Sequence, residues 1–307
     1  MNKLLGKYIN GNTYTKIYSD GTKIRTTMDD EFKPKYPENF DCNISTYCTN
    51  GCDFCYAGCS EKGKDANLLK FTNIWNNLHP YTEIALNLNS DIPYNFDEFL
   101  IMLKKKRIIT NITVNQKQVT KFWDYLLYLT KNELVYGIGI SLDNSEKGIK
   151  ELIDLDIPTH FPNAVIHTIV GVTSPEAYTK LADNRHKVLI LGYKKLNRGF
   201  VHFYSCRKDF NYKANWLYNS LEILKDKFKV LSFDNLALEQ LKVKRLLTPE
   251  QWEQFYMGDD GTFTLYVDLV SETFARDSIS SIKYPIENLT IDEMFNVIQK
   301  EIKSENN

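Results

Sequence analysis

Three stretches of this chain alternate apolar with small or polar residues at a two-residue period, and that pattern narrows the folds open to it. Ile84, Leu86 and Leu88 alternate with Ala85, Asn87 and Asn89. Ile112 and Val114 alternate with Asn111, Thr113 and Asn115. Ile138, Ile140 and Leu142 alternate with Gly137, Gly139, Ser141 and Asp143. A strand of this kind has one face for a core and one face that is not core. Helical stretches intervene. Asn95 stands as a cap before Asp97 and Glu98, with 104–107 basic at the far end, the polarity a helix dipole favours. Val119, Phe122, Trp123, Leu126 and Leu127 recur at helical spacing, and further helices are expected over 65–77 and 216–227. With strands at 40–45, 165–170 and 188–192, five or six βα units run on from Asn39, which implies an α/β fold with a parallel sheet, doubly wound or curved into a barrel. The polar faces grow more polar toward the carboxyl strand ends, where α/β folds bind ligands.

The flanks read differently. Residues 14–18 and 22–26 flank Ser19-Asp20-Gly21, a hairpin turn signal, and Pro34 and Pro37 separate this hairpin from the main body. Residues 200–204 read as strand-like. Thr248-Pro249-Glu250-Gln251 has the capping-box form of a helix start, and 263–275 alternate like exposed antiparallel strands. The 307 residues carry 38 Lys and Arg against 39 Asp and Glu. So even a balance leaves no electrostatic footprint for nucleic acid and no polybasic membrane patch. No apolar run approaches the roughly 20 residues that cross a bilayer, and the first residues lack a secretory signal, so the expected location is cytoplasmic.

Six cysteines carry the chemistry: Cys42, Cys48, Cys52, Cys55, Cys59 and Cys206. In a cytosolic chain of this size a cluster such as 48–59 points to metal or redox chemistry rather than disulfides. Cys48, Cys52 and Cys55 follow the first strand of the αβ region, with Gly51 allowing a tight turn. Three thiolates this close can wrap one side of an iron–sulfur cube and leave one iron open, and an open position makes a metal site reactive. Cys59 would complete a four-cysteine zinc site instead. Cys42 shares a strand face with Phe40 and Ile44, which suggests core packing. Cys206 is a candidate for radical quenching or substrate contact, against the commoner role of a structural thiol. His167, on a strand, reads as a core histidine.

The spacing of three residues then two, with Phe54 before the last cysteine, resembles the signature of the radical S-adenosylmethionine (radical SAM) superfamily. That resemblance implies a partial (βα)6 TIM-like barrel over 39–205, an N-terminal hairpin extension over 1–38, and a C-terminal α+β extension over 206–307 that shapes the substrate region. It implies that Cys48, Cys52 and Cys55 ligate a [4Fe–4S] cluster, whose open iron chelates S-adenosyl-L-methionine. One electron, from a reductant such as flavodoxin or ferredoxin, then cleaves the cofactor to a 5′-deoxyadenosyl radical that abstracts hydrogen from substrate.

Carried over residue by residue, Phe54 or Tyr56 would meet the adenine, and Ser141 and Asp143 the ribose. Thr168-Ile169-Val170-Gly171 resembles the fifth-strand motif, with Thr173 in place of its usual acidic residue; Leu191-Gly192-Tyr193-Lys194 resembles the sixth-strand edge. The family's Gly-Gly-Glu run is replaced by Asn87-Leu88-Asn89-Ser90-Asp91, so Asn89, Ser90 or Asp91 would have to hold the methionyl amino group. The hairpin, 56–64 and Tyr266-Val267-Asp268 resemble phage-type members of the superfamily. A peptide or protein substrate is favoured over a small molecule, because the terminal additions give an extended surface. Two alternatives stand beside this reading: a zinc-binding module without catalysis, and a radical SAM scaffold that has lost SAM binding.

Overall fold

The computed structural model describes residues 3–305. Among them, β1 (Leu4–Asn10), β2 (Thr13–Tyr18) and β3 (Lys23–Thr26) form a small antiparallel sheet. The main sheet comprises β4 (Asn39–Asn43), β5 (Glu83–Leu88), β6 (Ile109–Asn115), β7 (Gly137–Ser141), β8 (Val165–Ile169), β9 (Lys187–Leu191), β10 (Val230–Phe233), β11 (Thr264–Asp268), β12 (Thr273–Ala275) and β13 (Tyr284–Pro285). Its spatial order is β10-β9-β8-β7-β6-β5-β4-β11-β12-β13. Every neighbouring pair from β10 across to β11 is parallel, and β12 and β13 extend the edge antiparallel. The protein is therefore mixed α/β with a large, mostly parallel sheet.

From β4 to β10 each strand lies beside the one before it, with no reversal of order. Right-handed crossovers in such a series return over the same side, so the helices gather on one face. The apolar strand positions are buried there: Ile84, Leu86, Ile112, Val114, Ile138 and Ile140 share one core with Phe99, Leu103, Leu126, Leu152 and Leu181. The opposite face is a half-buried lattice of small and polar side chains. The register aligns Tyr266, Asp41, Ala85, Asn111 and Gly137 in one row, with Thr113 beside Gly139, and Asn115 beside Ser141 and His167, farther along.

The helix Phe96–Lys105 shows how sequence sets this packing. Phe96, Phe99, Leu100 and Leu103 form its buried stripe, Asp97 and Glu98 sit in its first turn, and Lys104 and Lys105 in its last. Asn95 occupies the cap position in left-handed conformation, and its side chain makes no capping bond. The capping box at Thr248 and Gln251 forms as expected.

Several expectations need correction. Residues 65–77 hold a short 3-10 turn and the helix Thr72–Asn76, because Trp75 turns inward to donate its indole N–H to the Leu68 carbonyl at 2.6 Å. Residues 200–204 belong to the helix Asn197–Ser205. Its buried residues are Gly199 and Phe203, four apart, while Phe200, Val201 and Tyr204 face solvent. The helix expected over 216–227 spans Arg207–Leu224. Within 263–275, β11 is not an exposed strand. Leu265, Val267 and Asp268 are buried, and β11 runs parallel to β4. β1 adds a third strand to the expected hairpin, and the Tyr81 ring lies where a side chain at Gly6 would stand.

The small sheet docks on the amino ends of β4 and β5 through charge. Glu38, fully buried, accepts from Arg25 Nε at 2.7 Å and from Thr15 Oγ1 at 3.2 Å, while Lys23 reaches Glu83 at 2.8 Å. Removing one partner of a buried ion pair strands the other. Glu38→Gln is expected to lower unfolding stability by about 3 kcal/mol, read by urea denaturation; a change within about 0.5 kcal/mol, the usual range for a surface substitution, would show that the pair does not hold the two sheets together.

Candidate functional site

The cysteine loop leaves the carboxyl end of β4 and is fixed from below by asparagine side chains on the polar sheet face. Asn87 Oδ1 accepts the Ile44 N–H at 2.7 Å, and Asn87 Nδ2 donates to the Ser45 carbonyl at 2.7 Å, which also receives Asn89 Nδ2 at 2.9 Å. The outgoing and returning limbs pair through Cys48 N–H to Ser60 O at 3.0 Å and Ser60 N–H to Thr46 O at 3.1 Å. Gly63 is required here, since a Cβ would stand 2.0 Å from the Thr46 carbonyl oxygen.

The loop tip is gripped from two sides. Ser90 Oγ accepts the Thr49 N–H at 2.8 Å, and Gln118 Nε2 donates to Asn50 Oδ1 at 2.9 Å. Opposite, Arg198 Nε donates to the Cys52 carbonyl at 2.9 Å and Asn197 Nδ2 to the Tyr56 carbonyl at 2.6 Å. Phe54 packs edge-on against the His202 ring.

Cys48, Cys52 and Cys55 are free and half-buried, and Cys59 is free and buried. Cys52, Cys55 and Cys59 sense neighbouring sulfurs. The Cys59 thiol donates to Cys55 and so holds the Cys55 thiol below its ordinary range, with Arg198 adding to the effect. Burial, then Cys55 and Cys48, raise Cys52. Among the described residues, no three His, Cys, Asp or Glu side chains already converge as a metal-binding group. The donor set nevertheless suits a soft metal, and Gly51, at φ +62° with open space around it, leaves the tip room to turn its sulfurs inward. Cys42 is buried, and its thiol is pushed well up by burial and by Asp268 and Asp41, which makes it inert. Cys206 is exposed between two helices, near enough to Tyr193 to influence it.

The other sequence-derived positions are spread over the same end of the sheet. Asn89 and Ser90 are engaged in holding the loop, and Asp91 pairs with Lys121 at 2.7 Å. Ser141 lies half-buried on the polar face, and Asp143 accepts the Ser145 N–H at 3.2 Å. Gly171, at φ +74°, lies against the Phe210 ring, 2.2 Å from where a Cβ would be. Thr173 Oγ1 accepts the Ile169 N–H at 3.1 Å. His167 is not a core histidine. It stands on the polar face against Gly139, and its enclosure pushes it down to about 4, so it is neutral at pH 7.

A cavity of about 430 Å³ takes its walls from both ends of the parallel run, Phe233 of β10 and Tyr266 of β11. Asn235 Nδ2 bridges the two ends by donating to Asp260 Oδ1 at 2.9 Å. Lys194 enters this cavity with its Nζ 4.4 Å from the Tyr56 ring centroid and donates to Ser278 Oγ at 2.8 Å. Asp41, an exposed residue, projects into it from mid-strand, and the protein around it raises its carboxyl against the pull of Lys194. Asp260 is pushed up to about 6 by burial and then by Asp277. Burial alone would lower Lys194, but Tyr56, Asp234, Asp41 and Asp260 outweigh it and hold the ammonium charged. Sequence reasoning missed Asp41, Asp260, Arg198 and Gln118. For Asp41 the signal was there: a lone charge inside a parallel strand, in register with the polar face.

No protein-family model matches the chain, and no curated protein matches it. Among the described residues, no helix is long and apolar enough to cross a membrane.

Asn87 satisfies two backbone groups at the loop's root, whereas the Ser45 carbonyl that Asn89 serves is already served by Asn87. Asn87→Ala should therefore cost about 1–3 kcal/mol and speed hydrogen exchange of the Ile44 amide. Asn89→Ala should do neither to the same degree. Equal effects of the two substitutions would refute this account of the root.

Proposed function

We propose that this chain is a radical SAM enzyme in which Cys48, Cys52 and Cys55 hold a [4Fe–4S] cluster, on a parallel run rolled into a partial (βα)6 barrel. One observation carries the reading. Three free, half-buried cysteines, spaced by three residues and then two, lie on the loop that leaves the carboxyl end of the first strand of a parallel sheet wound in chain order. Support for the rolled sheet comes from the cavity shared by β10 and β11 and from the Asn235 bridge beside it.

When bound, the cluster and S-adenosyl-L-methionine supply one-electron cleavage of a carbon–sulfur bond and hydrogen abstraction from a substrate. The chain's own residues hold and enclose. Ser90, Gln118 and Arg198 fix the loop's backbone, so that the cysteine side chains are what is left to move. The backbone of Phe54 or Tyr56 would meet the adenine, and the Ser141 hydroxyl would meet the ribose. Asp143, whose carboxylate accepts the Ser145 N–H, would stand beside the ribose, and Gly171 leaves room for the Phe210 ring. With Asn89 and Ser90 engaged by the loop, the methionyl amino group is left to their spare lone pairs. The electron comes from a flavodoxin- or ferredoxin-like reductant, and the substrate is a peptide or protein.

The contact between Cys59 and Cys55 favours a second reading, a four-cysteine zinc site without catalysis. Anaerobically purified protein separates the two. The enzyme reading expects about four irons per chain, a dithionite-reducible absorbance band, and 5′-deoxyadenosine on adding SAM. Cys48→Ala, Cys52→Ala and Cys55→Ala should each abolish the band, while Cys59→Ala and Cys206→Ala keep it. One zinc per chain, lost in Cys59→Ala, would establish the second reading. Iron without SAM cleavage, with no SAM binding by equilibrium dialysis, would identify a scaffold that has lost its cofactor.

A further inference from the structure

The helix Asn197–Ser205 is an outer cover of the cysteine loop. Arg198 and Asn197 hold the Cys52 and Tyr56 carbonyls, and Gly199 lets the Phe54 carbonyl approach, 3.2 Å from where a Cβ would stand. The solvent side of this helix presents Phe200, Val201 and Tyr204, each more than half exposed, with the Phe200 and Tyr204 ring centroids 4.8 Å apart. Apolar side chains scattered singly on a surface mean little, but here three adjoin on one helix, beside a candidate site. Charge gathers at the same place. The whole chain is nearly neutral, at 38 basic against 39 acidic residues. Residues 194–208 nevertheless hold five Lys and Arg and no Asp or Glu. Lys194 is turned to Ser278 and Arg198 to the loop, while Lys195 Nζ lies 3.8 Å from the Phe203 ring centroid. Arg207 and Lys208 are exposed, and so is Lys117 across the loop tip, next to the Gln118 that holds Asn50. Among the described residues, Lys117, Lys195, Arg207 and Lys208 enter no ion pair. Asp209 is taken at 2.7 Å by Lys213, whose charge Glu176 also feels, and on the loop the exposed Asp53 and Glu61 are offset by Lys62 and Lys64. Arg207 and Lys208 open the helix Arg207–Leu224, where the helix dipole disfavours cations, so helix stability does not account for them.

We infer that this surface docks a small acidic electron-carrier protein, with Phe200, Val201 and Tyr204 at the centre of the contact and Lys195, Arg207 and Lys208 on its rim. The inference rests on the cluster reading above, which needs an electron from outside the chain. An apolar, aromatic centre inside a polar rim is the anatomy of a protein–protein interface, and unpaired cations on the rim speed encounter with an acidic partner. The position suits the task. A carrier seated here is separated from the cysteine loop by one helix, about 10 Å thick, whose first residues touch that loop directly. A nucleic acid fits less well, because the Phe200 and Tyr204 rings are inclined by 56° and offer no flat shelf on which bases stack.

Isothermal titration of the full chain with an acidic flavodoxin and, in parallel, an acidic ferredoxin tests this, with a basic cytochrome c as control. Saturable binding of at least one acidic carrier is expected, weakening as salt is raised, with the cytochrome silent. Arg207→Glu and Lys208→Glu together should weaken binding at least tenfold at low salt and flatten its salt dependence. Phe200→Ala and Tyr204→Ala together should weaken it at least tenfold and leave the salt dependence as it was. All four side chains are exposed, so both double variants should melt like the parent, which separates lost docking from lost folding. With iron loaded, both should be reduced by dithionite at the parental rate but by the carrier at least tenfold more slowly, each carrier molecule giving up one electron. The Cys48→Ala, Cys52→Ala, Cys55→Ala triple variant should bind the carrier like the parent. Failure of the cluster reading would thus show as absent iron with docking intact. No binding of either acidic carrier at low salt, equal binding of the cytochrome, affinity indifferent to both double variants, or tighter capture of a single-stranded oligonucleotide or of phosphatidylserine vesicles by the same four residues would overturn the inference.

Discussion

A parallel sheet whose strands follow in chain order can cover only one of its faces with its own crossover helices. The anchorage of the cysteine loop and the lining of the cavity both descend from that constraint. The covered face takes Ile84, Leu86, Ile112, Val114, Ile138 and Ile140 into the core. The other face must be covered by some other means or stay wet, and here it carries Asp41, Asn87, Asn111, Thr113 and Ser141, half-buried or open to a cavity. An α/β sheet wound in both directions would have had apolar residues at those positions. The polar lattice is thus a consequence of topology, and it supplies both the donors that root the cysteine loop and the carboxylate that lines the cavity.

Much of this was legible without coordinates, because local pattern and global fold agree over the central βα units. The alternation in β5, β6 and β7 is visible in the sequence, and the strand face it assigns to Asn87 is the one observed. Legibility failed where local pattern underdetermines the partner. In 200–204 apolar residues recur closely enough to suit either period, and what decides for helix is that only Gly199 and Phe203 find cover. β11 reads like any solvent-facing strand until β4 offers its free edge, a choice made 225 residues away in sequence by the register Thr264 to Asn39. Contacts of that separation leave no trace in periodicity.

The site divides the same way. The cysteine spacing is local and is visible at once, but the groups that fix its backbone come from elsewhere: Ser90 and Gln118 from one flank, Arg198 from the other. The roles expected of Asn89 and Ser90 illustrate the difference. As residue types at a strand end they suit a ligand's amino group. In the structure their nearest partners are the Ser45 carbonyl and the Thr49 amide. A hydrogen-bonding side chain near a site is claimed first by whatever unsatisfied backbone lies closest, and a long irregular loop has many such groups.

Tyr56 connects the two halves of the site. It follows Cys55 directly, its carbonyl is held by Asn197, and its ring lies under the Lys194 ammonium. Any inward turn of the cysteine tip must therefore move, or be resisted by, the residue whose ring meets Lys194 of the cavity wall. Lys194 in turn is fixed by Ser278, on the segment that follows β12, so the carboxyl-terminal part of the chain reaches the loop through two side chains.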